Sequence, residues 1–311
     1  MRKASLMERV QARAPAYWPL MREQPLWAVM FAFSRINAAR GLERLISSAG
    51  HKKPENVNHT AFPELDLQRA VSSLIEDGVY QGLRLPEPVI EEIAAFAEVN
   101  PCFTKKEPKK GFLPRNYRDA NKEREADILA AFYFETVERC PAVMKLRRDE
   151  ALKSIASAYL GQRAILIRTR LWWSFPAERI SEGDLHMAAQ NCYHFDIDGW
   201  RTLKFFFYLT PANEGAGPHQ YIRGSHRRRR LQDQFSLTTG RPTPQLERFY
   251  SRKEFLTITG EKGLGFAEDP FVFHTGTVCR DQPRLMLEIG FGVSAANPAY
   301  QKPDFIYGRL G

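Results

Sequence analysis

The sequence has little cysteine, and none of it is arranged to hold a metal or a disulfide framework. Four cysteines are spread over 311 residues, and no C-x-x-C pair occurs. This spacing excludes a zinc ribbon and argues against a disulfide-stapled fold. Scattered free cysteines are typical of proteins from reducing compartments, so we expect a cytoplasmic location.

Long apolar runs are also lacking. The longest near the start, residues 26–33, is far shorter than the roughly 20 residues that a membrane-spanning helix needs. The first ten residues mix charged and apolar side chains, so we expect no signal peptide. Hydrophobic content of 43% and charged content of 26% are those of a soluble globular chain that can bury a substantial core.

The charge is basic, with a formal net charge of +9. Nucleic acid, anionic lipid and phosphorylated or carrier-bound substrates would each favour this balance, and solvated surface charge explains it equally well. The sequence contains no zinc finger, helix-turn-helix or aromatic RNA-binding motif. We therefore expect no nucleic-acid partner.

The first half of the chain has helical patterns. Residues 1–60 read as a basic helical extension, whose Trp18, Trp27, Phe31 and Phe33 would suit either a membrane surface or packing on the protein's own core. We favour packing. Residues 61–162 predict supporting helices: two over 65–100 with a break at Gly78 and Gly82, one over about 123–139, and one from Asp149 to Gly161.

The second half changes to short strand-like runs. Residues 165–173, 203–210, 255–259, 271–274 and 285–293 are rich in β-branched and aromatic side chains. Because no convincing helices alternate with them, they predict a sandwich, barrel or jelly roll. We expect an α+β fold, mainly β. Residues 61–311 would form one domain, with its β core over 163–311.

Three residues of this β region have the side chains of a metal site. In an extended strand His194 and Asp196 point to the same face. That pair alone is a weak signal, but His274 ends another strand-like run. Two imidazoles and one carboxylate form the facial triad that leaves three positions open on iron(II), whereas a zinc hydrolase needs only one.

Arg284 lies ten residues after His274 and begins the next strand. A guanidinium beside a metal is suited to bind the far carboxylate of a dicarboxylic acid through two hydrogen bonds. Most arginines at the start of a strand are structural, but one at this distance from a metal-like histidine is less often so.

These motifs together resemble the phytanoyl-CoA dioxygenase family of Fe(II)- and 2-oxoglutarate-dependent oxygenases. The resemblance covers roughly residues 66–293. It includes the H-x-D pair, the segment L-K-F-F-F-Y-L-T at 203–210, Gly217-Pro218, the Y-I-R-G-S-H segment at 221–226, and His274-Thr-Gly-Thr with Arg284-Leu-Met-Leu. Arg223 stands where the family usually has proline, and Gly276 where some members have serine.

The resemblance implies a double-stranded β-helix with iron(II) on His194, Asp196 and His274. It implies that 2-oxoglutarate binds with its far carboxylate on Arg284, and that reaction with O2 hydroxylates a small molecule and releases succinate and CO2. A lipid, an acyl thioester, a secondary metabolite or a saccharide precursor would suit. Because Asp196 is present, hydroxylation is favoured over halogenation.

Further residues are weaker candidates for this site. Thr275 and Lys204 could give 2-oxoglutarate a second contact, and His186, Tyr208 and Arg223 could contact the substrate. Residues 227–230 are four consecutive arginines, which could bind a phosphate or be solvated. Two other functions remain open. A barrel that only binds sugar or lipid would not need the metal residues, and a cupin-like lyase or isomerase would not need Arg284.

Overall fold

Two antiparallel sheets form the centre of the molecule. The computed structural model describes residues 22, 25–47, 50–107, 109–188, 190, 192–236 and 239–294. The larger sheet has the strand order β1 (Val79–Arg84), β7 (Leu264–Glu268), β4 (Thr202–Tyr208), β9 (Arg284–Gly292), β3 (Ile165–Ser174) and β2 (Ala130–Phe132). The smaller has the order β6 (Phe255–Ile258), β5 (His219–Ile222) and β8 (His274–Gly276). The fold is a double-stranded β-helix, or jelly roll, which confirms the predicted class.

Several helices pack against one face of the larger sheet. The described α-helices are α1 (Pro25–Phe33), α2 (Asn37–Ile46), α3 (Leu67–Asp77), α4 (Glu87–Val99), α5 (Tyr117–Lys122), α6 (Pro141–Leu146), α7 (Glu150–Leu160), α8 (Glu182–Met187), α9 (Leu231–Gln234) and α10 (Thr243–Leu246). Short 3-10 turns occupy Pro114–Asn116, Phe134–Arg139, Glu214–Ala216 and Arg252–Glu254. None of the described helices has the length and apolar content that crossing a bilayer requires.

The central strands bury both of their faces, with a different chemistry on each. On β4, Leu203, Phe205 and Phe207 belong to a large apolar core that includes side chains of α3, α4, α6 and α7. The alternate residues Phe206 and Tyr208 belong to a separate cluster with residues of the smaller sheet. Because side chains alternate along a strand, Lys204 lies on this second face, between the two sheets. That face carries the polar residues of the site.

The helix ends follow local sequence signals. Asp149 caps α7 by accepting hydrogen bonds from the amides of Ala151 and Leu152, and Gly161 ends the helix in a left-handed conformation with φ of 80°. Both were predicted. Asp66 caps α3 through the amide of Arg69, and Gly78 ends it with φ of 80°.

Several predicted elements are wrong in detail. Residues 123–139 contain no long helix; they form β2 and a 3-10 turn, because Ala130–Phe132 pairs with the edge of β3. The break after Gly78 is strand β1, which pairs with β7. Residues 271–273 form a turn in which the Asp269 carboxylate accepts from the amide of Phe271, and the strand begins only at His274. Thus β1 and β2 are sheet strands inside the segment predicted to be helical.

The N-terminal helices pack on the β body. Trp27 and Met30 of α1 are buried in a cluster with Tyr193, Phe195 and Phe271. This confirms the predicted packing for one face of α1. Trp18 lies outside the described residues.

Candidate metal centre

An isolated antiparallel bridge between the segment of His194 and strand β8 brings His194, Asp196 and His274 together. The segment containing His194 runs alongside β8, and the backbones of His194 and His274 exchange two hydrogen bonds of 2.8 Å. The imidazole centroids are 4.5 Å apart. Nε2 of His194 lies 3.9 Å from Oδ1 of Asp196, and Nε2 of His274 lies 3.8 Å from Oδ2. These candidate ligand atoms all lie within 4.8 Å of one another, so one metal ion could contact all three residues.

Hydrogen bonds orient both imidazoles toward the shared space. Nδ1 of His194 is 3.2 Å from the carbonyl oxygen of Cys192, and Nδ1 of His274 is 3.1 Å from that of Val272. A ring that donates from Nδ1 keeps Nε2 as an acceptor, which is the form that binds a metal. Burial lowers the pKa of His274 to about 4, so this ring is neutral at neutral pH.

Lys204 compensates the carboxylates of the site. Its Nζ lies 2.5 Å from Oδ2 of Asp196 and 2.7 Å from Oδ2 of Asp198. Burial alone would lower the pKa of Lys204, but the two carboxylates together raise it above its usual value. Lys204 therefore carries a charge although its side chain is almost fully buried, and it holds Asp196 in place.

Behind His274 lies a second polar pair. The Glu268 carboxylate is fully buried, 3.4 Å from Nδ1 of His274 and 2.7 Å from Nε2 of His219. Burial raises the pKa of Glu268 to about 7 and lowers that of His219 to about 3. These two residues support the His274 ring from the side away from Asp196, as partners of metal-binding histidines commonly do.

Arg284 is buried beside this centre, with hydrogen-bonding capacity left over. Its Nη2 donates to Oγ of Ser174 at 3.2 Å, and its guanidinium lies 5.8 Å from the Tyr208 ring centroid. Within the described part of the chain, Nε and Nη1 have no hydrogen-bond partner. Because buried polar groups are normally satisfied, these two donors fit an absent anionic ligand, such as the far carboxylate of 2-oxoglutarate.

A cavity of about 280 Å³ joins the metal residues to Arg284. A second cavity, of about 490 Å³, shares Lys105, Ala130, Phe132 and Ala188 with it. The two cavities are therefore neighbours, and together their volumes are enough for a co-substrate and a small molecule. Trp172 and Phe206 give the inner part apolar walls.

One wall of the inner cavity is strongly basic. On β3, Arg168 and Arg170 both approach the buried Glu288 carboxylate, at 3.7 Å from Nη1 of Arg168 and 2.9 Å from Nε of Arg170. Lys105 lines the same cavity. Burial, and then the charges of the two arginines, lower the pKa of Lys105 to about 7.

The structure separates the weaker candidates. Lys204 lines the inner cavity, and Tyr208 is buried behind Arg284. The Tyr208 hydroxyl donates to the Ile258 carbonyl and accepts from the backbone amide of His219.

Thr275 follows His274 on β8, so its side chain points to the opposite face, where Oγ1 donates to the Gly276 carbonyl. Arg223 is exposed, 4.0 Å from Asp77. His186 lies on α8, and its side chain is outside the described set.

The four arginines at 227–230 do not converge on one anion. Arg229 is buried, with its guanidinium 3.8 Å from the ring centroids of Phe195 and Phe271, and Arg230 pairs with Asp233 at 2.7 Å. Arg228 pairs with Glu254. Arg227 is exposed and donates to the Ile75 carbonyl.

Sequence reasoning missed several residues of the site. Asp198 continues the alternation of His194 and Asp196, and Arg168 and Arg170 alternate along a strand that was predicted. This alternation could have indicated that Asp198, Arg168 and Arg170 face the site. By contrast, nothing in the local sequence marks Lys105, Glu268 or Glu288, since sequence alone did not reveal which strands face each other.

The fold and the site define a class: a jelly-roll protein with two histidines and one aspartate around a metal position. The sequence model of the phytanoyl-CoA dioxygenase family matches residues 84–278, more than half of the chain. The protein therefore belongs to the phytanoyl-CoA dioxygenase family, whose members are Fe(II)- and 2-oxoglutarate-dependent oxygenases.

Solved structures of similar fold include AviO1 from Streptomyces viridochromogenes Tue57, with 15% identity, 75% of this chain and 98% of that chain covered, and a TM-score of 0.49. EctD from S. alaskensis with bound Fe has 17% identity, coverage of 77% and 79%, and a TM-score of 0.47. HygX from Streptomyces hygroscopicus, solved with nickel and 2-oxoglutarate, has 11% identity, coverage of 72% and 86%, and a TM-score of 0.48. No curated protein sequence matches the chain. These identities and TM-scores are low, so the family match and the site residues are the basis for assigning a function.

Proposed function

We propose that the protein is an Fe(II)- and 2-oxoglutarate-dependent hydroxylase of a small molecule that carries an anionic group. The observation that carries the proposal is the combination of the His194, Asp196 and His274 cluster with Arg284, a buried guanidinium that keeps two unpartnered nitrogens. A barrel that only binds a ligand needs no such cluster, and a lyase without 2-oxoglutarate leaves Arg284 unexplained.

In this proposal each residue has a defined task. His194, Asp196 and His274 hold iron(II), and Arg284 binds the far carboxylate of 2-oxoglutarate. When bound, the metal and 2-oxoglutarate activate O2, so that one oxygen atom enters the substrate and the other enters succinate as CO2 leaves. Lys204 orients Asp196, while Trp172 and Phe206 exclude water from the inner cavity.

The basic wall supports an anionic substrate. The described residues that line the inner cavity include two carboxylates, Asp196 and Asp198, and five basic side chains, namely Lys105, Arg168, Arg170, Lys204 and Arg284. Lys204 contacts both carboxylates and balances one of their two charges, and Arg284 is assigned to 2-oxoglutarate. Arg168 and Arg170 approach the buried Glu288 carboxylate and Lys105 lines the same cavity, so this wall presents basic side chains suited to a carboxylate, sulfate or phosphate of a substrate.

The first test is an anaerobic titration of the metal-free protein with Fe(II) and 2-oxoglutarate, followed by the visible charge-transfer absorption of the complex. We expect an absorption band in the wild type and none in His274→Ala. Arg284→Leu should need at least about 30-fold more 2-oxoglutarate, since a buried charge-assisted pair contributes about 2 kcal/mol or more. Arg223→Leu, at an exposed arginine, is the matched control and should titrate like the wild type.

A folded wild type with no band would contradict the proposed cofactor use. The substrate class is tested separately, by O2-dependent succinate formation with matched pairs of aryl or medium-chain acids and their uncharged amides. The acid should stimulate turnover more than its amide, and Arg170→Gln should abolish this preference without changing the 2-oxoglutarate titration. Equal stimulation by acid and amide would refute the anionic substrate and leave the cofactor assignment standing.

A further inference from the structure

Helix α2 is oriented with its charged face toward the protein. The Arg40 guanidinium lies 4.0 Å from the Phe271 ring centroid and 3.8 Å from the Asp269 carboxylate. Glu43 pairs with the buried Arg201 at 3.0 Å, and Nη1 of Arg44 is 2.7 Å from Nε2 of His51. In an ordinary surface helix the charged face contacts water and the apolar face packs inward. In α2 this order is reversed.

The apolar residues of α2 consequently point outward. Leu42 is 58% exposed, Leu45 78% and Ile46 75%. On α1, Leu26, Val29 and Phe33 are also exposed, although Trp27 and Met30 of the same helix are buried. A groove of about 350 Å³, lined by Phe33, Leu42, Ile46 and Trp200 among others, joins the two helices. We call the six exposed side chains Leu26, Val29, Phe33, Leu42, Leu45 and Ile46 the outer apolar face.

This concentration of apolar side chains is not the background level of the molecule. In the described part of the chain, twelve large hydrophobic side chains are exposed, and six of them lie between residues 26 and 46. Single exposed apolar residues need no explanation, whereas a contiguous group of them usually marks an interaction surface.

Exposed basic residues lie near the ends of α1 and α2. Arg22 precedes α1 and is exposed. Lys52 and Lys53, also exposed, follow His51, which contacts Arg44 of α2. Arg227 is exposed, and its carbonyl accepts from Nδ2 of Asn37 at the start of α2. Residues 1–60 contain ten Lys and Arg against four Asp and Glu, so they contribute +6 of the net charge of +9.

We propose that the outer apolar face docks onto the surface of an anionic lipid bilayer. Helices that lie on membranes insert apolar side chains to the depth of the headgroups, and nearby Lys and Arg are attracted to anionic lipids. The accompanying charge favours this occupant over a second copy of the chain, because two copies would bring the same basic residues close together.

Vesicle co-sedimentation of the full chain tests the proposal. The protein should sediment with vesicles of phosphatidylcholine and phosphatidylserine at least about 10-fold more than with phosphatidylcholine alone, and high salt should reduce the bound fraction. The triple variant Leu42→Ser, Leu45→Ser, Ile46→Ser should lose most of this binding. The control Val99→Ser, Ile180→Ser changes exposed apolar residues elsewhere and should bind like the wild type.

The anaerobic 2-oxoglutarate titration and the thermal midpoint of each variant show whether it is folded, so loss of binding can be separated from misfolding. Equal sedimentation of the triple variant and the wild type would overturn the proposal. A wild type that binds no vesicles would also overturn the proposal, whether sedimentation velocity shows a monomer or a dimer. A dimer that the triple variant dissociates would assign the face to a second copy of the chain.

Discussion

Lys204 is a charged residue within a strand that is otherwise buried and largely aromatic. Its amine is held by Asp196 and Asp198, at 2.5 Å and 2.7 Å. A buried charge is tolerated only when a partner compensates it, and here the compensation is mutual because the carboxylates are also shielded from water. A metal ion at His194, Asp196 and His274 would bring further positive charge to Asp196. Lys204 and the metal would then both contact the Asp196 carboxylate.

We predict that Lys204→Met destabilises the metal-free protein by about 3 kcal/mol, because it leaves two neighbouring carboxylates without their cation. With Mn(II) bound, the loss should be at most half as large, since the metal compensates Asp196. Urea unfolding in EDTA and in Mn(II) measures both values. The control Lys262→Met removes an exposed pair with Glu87 and should have no measurable effect. An equal loss in both conditions would mean that the lysine does not share Asp196 with a metal.

At the scale of single residues, sequence reasoning selected candidates where chemistry depends on spacing. The H-x-D pair and an arginine ten residues after a histidine are local patterns, and the structure places His194, Asp196, His274 and Arg284 around one cavity. Sequence reasoning could not find Glu268, which pairs with His219 from another strand. A carboxylate in a strand is normally interpreted as exposed, and only the tertiary pairing of β7 with β4 explains its burial.

At the scale of elements, glycine Gly78 joins helix α3 to strand β1. It has φ of 80°, and a Cβ built there would lie 2.3 Å from Cγ1 of Val272 and 2.6 Å from Nδ1 of His226. The position therefore excludes other residues for two reasons, the left-handed backbone and the lack of space.

We predict that Gly78→Ala lowers the free energy of unfolding by at least about 2 kcal/mol, from backbone strain of about 1 kcal/mol and the displacement of Val272 and His226. The matched change is Gly41→Ala in α2, where nothing lies within 4 Å of the new methyl group. This control should stabilise the protein by up to about 1 kcal/mol, since alanine favours helix. Urea unfolding compares the two, and similar effects would show that the contacts at Gly78 relax without cost.

His226 packs against the same helix end and makes the stability of the protein depend on pH. Burial lowers the pKa of His226 from 6.5 to about 4, partly opposed by Asp269. The unfolded chain therefore binds this proton more readily than the native protein does. The stability that comes from keeping His226 neutral is fully present above about pH 6.5. It is lost as the pH decreases toward 4, by up to about 3 kcal/mol. His226→Gln should flatten the fall between pH 7 and pH 5 in urea unfolding, whereas His59→Gln, at an exposed histidine, should not. An unchanged slope in His226→Gln would contradict the assignment.

The elements predicted best were those with a strong pattern of their own. The strands at β3, β4 and β9 are long, apolar or aromatic runs, and α7 has both of its caps in the sequence. The short strands β1 and β2 were missed because their residues form strands only by pairing with β7 and β3. Pattern alone also gave no sign that α2 turns its charged face inward, because amphipathicity identifies two faces but not which one is buried.

At the scale of the whole molecule, buried polar contacts connect the N-terminal helices to the β body. Arg201 is 2% exposed, and its Nε and Nη2 each lie 3.0 Å from a carboxylate oxygen of Glu43 on α2. The same guanidinium donates to the Leu160 carbonyl at the end of α7. The sequence predicts that residues 1–60 are an extension of a domain that begins at residue 61. From these contacts we expect α2 to unfold together with α7.

Hydrogen exchange can decide between an extension and an integral part of the domain. If α2 is integral, its amides in the wild type should exchange as slowly as those of α7, because both open only on global unfolding. Arg201→Met should lower the free energy of unfolding by about 3 kcal/mol, since it leaves Glu43 and the Leu160 carbonyl without their partner. Arg252→Met, which removes a largely exposed pair with Glu247, should change neither quantity. Fast exchange in α2 alone, with an unchanged stability of Arg201→Met, would instead show that the N-terminal helices are an extension that opens independently of the oxygenase fold.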